Sequence, residues 1–250
     1  MMTIILFDNC RIENRCSIQI LMLAISDRIE LYPKEQGRIM SEQAVMEIAI
    51  RKVKTGKDAE FRQARSAFIA RLKAQQGIEK DWEFQSFFTM PEPDDTDVFV
   101  GMTRYESVEA ASGIAEQLMS SEEAQSFFGT FDMRAFVMVK PVDGGDFKLE
   151  EHIQTPDQVL EVAVRSSNAG EDAFWSARDA FFAAVAEQPG YIMDREFVDL
   201  QTQVRVVLIA WESKHAFLAA LNALQTRLEM KAFFSILDVQ AYQAVQPVAN

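Results

Sequence analysis

Two short segments repeat one pattern of charges: Met46-Glu47-Ile48-Ala49-Ile50-Arg51 recurs as Leu160-Glu161-Val162-Ala163-Val164-Arg165. Side chains alternate across a strand, so Glu47, Ala49 and Arg51 share one face, and Met46, Ile48 and Ile50 the other. The apolar set is expected to meet covering helices and the charged set to face a second sheet. Burying a charge is costly unless it is paired, so one reading is structural, with Glu-Arg pairs crossing between sheets. The other is chemical, with Arg51 or Arg165 holding an anionic or phenolate oxygen in an otherwise apolar cavity.

Aromatic residues come next. Tyr105 shares strand parity with Thr103 and Phe99, and Trp211 with Ile209 and Val207; each is either core or the wall of a ligand site. Trp82 and Trp175 have no aromatic counterpart in the other repeat and are read as local packing or the cover of a cavity mouth. Of the two histidines, His215 sits in the first turn of a helix near Glu212 and Lys214, as a solvated residue or a general base, and His152 stands beside Glu150 and Glu151. No Cys-His or Ser-His-Asp set and no H-x-x-x-H spacing is visible, so neither metal nor triad chemistry has support. Gly144-Gly145 is a lone pair rather than a strand-to-helix phosphate loop, and no cofactor is implied.

The 25 basic and 38 acidic residues give a net charge of −13, which disfavours nucleic acid and anionic membrane surfaces as partners. Cys10 and Cys16 are the only cysteines, too few for a disulfide framework, and a reducing, cytoplasmic setting is expected. The apolar run Ile18 to Ile25 is far short of the ~20 residues that cross a bilayer. Met40 precedes the first periodic strand, so residues 1–39 read as a weakly ordered N-terminal extension.

These segments belong to a longer internal repeat. Phe61 to Phe68 (FRQARSAF) matches Phe174 to Phe181 (FWSARDAF), and Asp81, Glu83 and Phe84 match Asp194, Glu196 and Phe197, all at an offset of 113. Beyond a loop the offset becomes 106, pairing Tyr105-Glu106-Ser107 with Trp211-Glu212-Ser213 and Phe127-Phe128 with Phe233-Phe234. Residues 43–141 and 157–247 are therefore taken as two units, with 142–156 as linker. Each unit predicts a strand (45–52 in the first), a helix capped from Thr55 or Asn168 and ended by Gly77 or Gly190, and two further strands. A helix after Ser107 or Ser213, a short turn of helix ending at Phe128 or Phe234, and a last strand complete it. This is the split β-α-β-β-α-β order. The fold class is α+β: two tandem ferredoxin-like repeats packed sheet to sheet as an α/β barrel within one chain, a monomer with an internal pseudo-dimer that leaves room for further homodimerisation.

An apolar strand running into Trp or Tyr, then Glu-Ser and a helix, with a following Phe pair, resembles the antibiotic biosynthesis monooxygenase family of dimeric α/β barrels. The residues that carry it are Val207 to Phe217 (VLIAWESKHAF) and, more loosely, Val100 to Ser107 with Phe127-Phe128. The family's haem-degrading branch uses an Asn on the first strand, a Trp ending the third and a His on the following helix. Here Trp211 matches, but the Asn position falls on Ala163 and the His position near Phe234; the first unit has Ala49, Tyr105 and Phe128. Phenylalanine cannot bind iron, so haem binding or degradation is disfavoured. The resemblance implies binding of a small apolar or aromatic molecule and cofactor-independent monooxygenation of a phenol, in which the deprotonated substrate activates O₂. The protein would supply a dry pocket and a base, for which Glu47, Glu161 and His215 are the candidates. The competing reading is a non-catalytic ligand-binding or structural barrel.

Overall fold

Runs rich in Val, Ile and Phe become eight strands, because branched and aromatic side chains suit a pleated surface buried on both sides. The computed structural model describes residues 43–90 and 97–248; the expected N-terminal extension, with Cys10, Cys16 and Met40, lies outside the described residues. The order is β1 (Val45–Val53), α1 (Asp58–Lys73), β2 (Ile78–Met90), β3 (Val98–Tyr105), α2 (Val108–Leu118), α3 (Glu122–Phe128) and β4 (Phe131–Pro141). A 3₁₀ turn at Leu149–Glu151 follows. Then come β5 (Val159–Ser167), α4 (Glu171–Ala186), β6 (Tyr191–Asp199), β7 (Arg205–Trp211), α5 (Lys214–Leu224), α6 (Leu228–Phe234) and β8 (Leu237–Pro247).

Ser107 and Ser213 cap α2 and α5, accepting hydrogen bonds from the amides of Ala110 and Ala216 at 3.1 and 3.2 Å. Thr55 and Asn168 do not cap α1 and α4. Their N-caps are Lys57 and Gly170, without a side-chain bond, and acidic residues in the first turn offset the exposed amides instead. Nor do Gly77 and Gly190 end those helices, whose C-caps are Ala74 and Glu187. Both glycines have positive φ, 95° and 81°. A Cβ on either would lie 2.7 or 2.5 Å from the Cβ of Ala110 or Ala216. Glycine is needed there because the start of the next helix passes so closely.

The strands form one closed barrel in the order β1-β3-β2-β8-β5-β7-β6-β4. The first half contributes β4-β1-β3-β2 and the second β8-β5-β7-β6, joined edge to edge through β2 with β8 and β4 with β6. Met46, Ile48, Ile50, Val100 and Met102 meet Leu160, Val162, Val164, Val206 and Leu208 in a single core inside the barrel. The helices cover the outside, packing on the alternate strand positions in separate clusters.

This inverts the expected parity. Met46, Ile48 and Ile50 point into the barrel rather than to the helices, and Glu47, Ala49 and Arg51 lie under the helices rather than between sheets. An eight-stranded barrel has room inside only for close-packed side chains. Charges midway along the strands would find no partner there, whereas the outer face offers partners on helices and neighbouring strands; Arg104, at one end of the interior, is the inward charge that has them.

The connection between halves also closes the barrel. Phe147 and Leu149 are buried in the interior cluster, Leu149 completely. Arg104 holds this plug, donating to the Phe147 carbonyl at 2.7 Å and to Asp146 Oδ1 at 2.6 Å. Among the described residues no helix is long and apolar enough to cross a membrane. Leu149→Ala is expected to lower stability by about 2–5 kcal/mol in urea denaturation, since it opens a cavity in a closed core.

Candidate functional site

Under the helices of each half lies one cavity, floored by the outward face of the sheet. The first has a volume of about 100 Å³ and is walled by Glu47, Arg51, Thr103 and Tyr105 from the strands and by apolar side chains of α1, α2 and α3. The second, about 90 Å³, is walled by Glu161, Arg165, Trp211 and Tyr242 and by α4, α5 and α6. Six of the expected site residues thus converge, in two matching groups. His215 does not join them: it is exposed on α5 and lines neither cavity. His152 stacks on Phe147 at the plug, with ring centroids 5.5 Å apart.

The two glutamates share a position and differ in their surroundings. Tyr105, diagonal to Glu47 across β1 and β3, donates its hydroxyl to Glu47 Oε2 at 3.0 Å. The other oxygen, Oε1, stays open on the half-buried side chain at the cavity wall. Glu161 is held at both oxygens: Trp211 Nε1 donates to Oε1 at 2.5 Å and the Tyr242 hydroxyl donates to Oε2. The position that matches Tyr242 at the offset of 106 is Phe136, which has no hydroxyl to donate. Burial raises both carboxyls to about 7, against the lowering effect of these donors. The same burial, with the facing carboxylates, holds the Tyr105 and Tyr242 hydroxyls well above their ordinary range.

The arginines are paired, but within each half rather than between sheets. Arg51 reaches across β3 to Glu83 on β2, its Nη2 contacting both carboxylate oxygens at 2.9 and 2.7 Å. Arg65 on α1 also binds Glu83, and Asp81 at 3.2 Å. The second half repeats this, with Arg165 Nη2 on Glu196 at 2.9 Å and Arg178 of α4 on Glu196 and Asp194. The sequence carried the signal in Asp81-Trp82-Glu83 and Asp194-Arg195-Glu196, which put two carboxylates on one face of a strand, and in the repeated arginine of FRQARSAF and FWSARDAF. The Arg51 route depends on Gly101, where a Cβ would lie 2.2 Å from Arg51 Nη2. Val207 stands at the matching place in β7.

The closed strand order and outer helices define a dimeric α/β-barrel fold completed within one chain. An anthrone oxidase-like protein is similar in structure (TM-score 0.59, 12% identity, covering 83% of this chain and 92% of that one). So are a candidate chlorite dismutase (0.56, 13%, 83% and 95%) and a mutant chlorite dismutase from Candidatus Nitrospira defluvii in complex with cyanide (0.50, 8%, 84% and 92%). At these identities the likeness is one of fold. No protein-family profile matches the chain, and no curated protein matches it in sequence.

Haem does not fit either cavity. Ala163 and Phe234 stand on the second wall where the haem-degrading pattern needs Asn and His, and no histidine lines either cavity. Both volumes are also well below the roughly 300 Å³ at which pockets for cofactor-sized ligands begin. Among the described residues no group of three or more His, Cys, Asp or Glu is placed to hold a metal ion.

Two outcomes test this geometry. Glu161 binds its proton more tightly folded than unfolded, so its contribution to stability is full below pH 4.5 and lost as pH rises through about 7. The loss is of order 3 kcal/mol. Glu161→Gln should flatten the decline in stability measured between pH 5 and 8. Gly101→Ala should shift Arg51 Nη2 so that it keeps one bond to Glu83, as Arg165 keeps one to Glu196 beside Val207, and cost about 1 kcal/mol in the same assay.

Proposed function

We propose that this chain is a cofactor-independent oxygenase of the antibiotic biosynthesis monooxygenase kind, acting on a small phenol in the first cavity with Glu47 as the base. The observation that carries the reading is the open oxygen of Glu47, a carboxyl raised to about 7, on the wall of an otherwise largely apolar chamber. A phenol loses its proton near pH 10. An ordinary carboxylate is a poor acceptor for it, and raising the acceptor toward neutrality narrows the gap while leaving the base ionised in a good share of molecules. Arg51 stands on the same wall, and its positive charge favours the phenolate form. Tyr105 holds Glu47 in place and forms part of the wall. A volume of about 100 Å³ suits a single ring.

The chemistry closes without an external reductant. Glu47 takes the hydroxyl proton, and the phenolate passes one electron to O₂. The resulting radical pair joins at the para carbon as a peroxide, which takes the proton back from Glu47, and the hydroperoxide then loses water, its outer oxygen leaving with the para C–H proton as the O–O bond breaks. Phenol and O₂ thus give quinone and water. The helices exclude bulk water, which keeps the phenolate from being reprotonated. In the second half both oxygens of Glu161 are occupied, so that half completes the barrel without offering a free base.

Oxygen uptake with electron-rich monocyclic phenols tests this. Uptake should match quinone formation one to one, and Glu47→Gln should lower kcat/KM by about 10²–10⁴. Because the working form is ionised, kcat/KM should rise with pH to a plateau above about 7. Tyr105→Phe removes a donor that lowers the Glu47 value, so it should move that limb to higher pH. Uptake that is insensitive to Glu47→Gln would defeat the assignment.

A further inference from the structure

We propose that the second cavity is a binding site for a small apolar monocarboxylate, with Arg165 as the anchor for its charged end. Arg165 is 2% exposed and stands at the cavity wall, yet its guanidinium makes one hydrogen bond, from Nη2 to Glu196 Oε2. Its Nε and Nη1 are buried with no acceptor. The same Glu196 oxygen also accepts from Arg178 Nε at 3.1 Å, while Glu196 Oε1 is buried with no donor, so the pairing leaves Arg165 short of acceptors in this arrangement. Rings of Phe174 and Phe233 lie 5.9 and 5.5 Å from the guanidinium carbon, which offsets some of the lost hydration but satisfies no N–H. Buried donors left without acceptors cost free energy that an incoming anionic oxygen would recover.

The walls decide what kind of anion suits the site. Apart from Arg165, the one charged group lining this cavity is Glu161, whose two oxygens are already occupied by Trp211 and Tyr242. Everything else facing the space is apolar, including Phe181, Phe182 and Leu224. The ligand therefore combines one carboxylate with a compact hydrocarbon body, and about 90 Å³ limits that body to one ring or a short branched chain. The first cavity is unsuited to the same ligand, because Glu47, Asp81, Glu83 and Asp199 all line it against the single guanidinium of Arg51. Arg51 is also better satisfied, with two bonds to Glu83 and one bare nitrogen. The two cavities thus select ligands of opposite kind, one a neutral acid that gives up its proton, the other an anion.

Benzoate is the probe. Isothermal titration of the full chain should show benzoate binding at least tenfold tighter than benzamide or benzyl alcohol, which share its shape and lack its charge; this comparison needs no variant. Arg165→Met should weaken benzoate by about tenfold or more, the usual worth of a charge-assisted hydrogen bond. Leu224→Phe, which fills the space from the helix side rather than from the strands that carry Arg165, should abolish binding and the accompanying change in tryptophan fluorescence. Equal affinity for benzamide, benzoate binding that survives Leu224→Phe, or no benzoate heat at all would overturn the proposal. None of these readouts involves oxygenase activity, so failure here and failure of the first-cavity reading are told apart.

Discussion

Closing eight strands on themselves creates an interior that water does not reach and that no helix can line, and this constraint governs the rest of the molecule. Close-packed side chains, nearly all of them apolar, fill such a space, so each strand sends aliphatic residues inward. Ile48, Ile50, Val100, Val162 and Leu208 do so, and all are fully buried. By alternation Glu47, Arg51, Glu161 and Arg165 fall outward, beneath the helices, and the polar side chains that do face inward are paired, Ser86 with Gln243 and Arg104 with the plug. The helices above the outward residues turn an open sheet face into two partly enclosed chambers. The buried arginines of each chamber are paired within it, Arg51 with Glu83 and Arg165 with Glu196.

Within that shared frame, differences of a single group set the character of each chamber. A phenol ring in place of a phenyl ring, Tyr242 against Phe136, decides whether the buried glutamate is fully hydrogen-bonded or half free. The absence of a side chain at Gly101 lets Arg51 lie across the sheet and take both oxygens of Glu83, while Val207 occupies the corresponding place and Arg165 makes a single bond. Neither difference changes a strand, a helix or a register. Both change which proton or which charge a ligand would meet.

Much of the framework was legible from residue types alone. Capping serines at 107 and 213, the Phe pairs ending α3 and α6, and the alternating strands each act through local physics, and they fell where the sequence placed them. That Glu47 shares a face with Arg51, and Glu161 with Arg165, was legible too, since strand parity puts each pair on one side; that Tyr105 and Trp211 join them depends on the register of the neighbouring strands. Which side of the sheet that face occupies was not legible. β1 and β5 are buried on both sides, so alternation separates two faces without saying which is inside; barrel closure decides that, and closure is a property of all eight strands together. Tyr242 went unseen for a related reason: its contact with Glu161 is made between strands far apart in the chain, and the clue lay in comparing it with Phe136 rather than in its own surroundings. Thr55, Asn168, Gly77 and Gly190 lie close to the helix boundaries without forming them, because turn residues near a helix end satisfy the same local rules as true caps.

The segment that carries Phe147 and Leu149 has one more effect. When identical subunits assemble such a barrel, any replacement in one chamber is copied into the other by symmetry, and a change that sharpens one function is imposed twice. Tethering the halves in one polypeptide removes that obligation. Each chamber can be edited separately while its sibling keeps the shell intact, and the pairs Gly101 with Val207 and Phe136 with Tyr242 are substitutions that a symmetric assembly could not hold side by side.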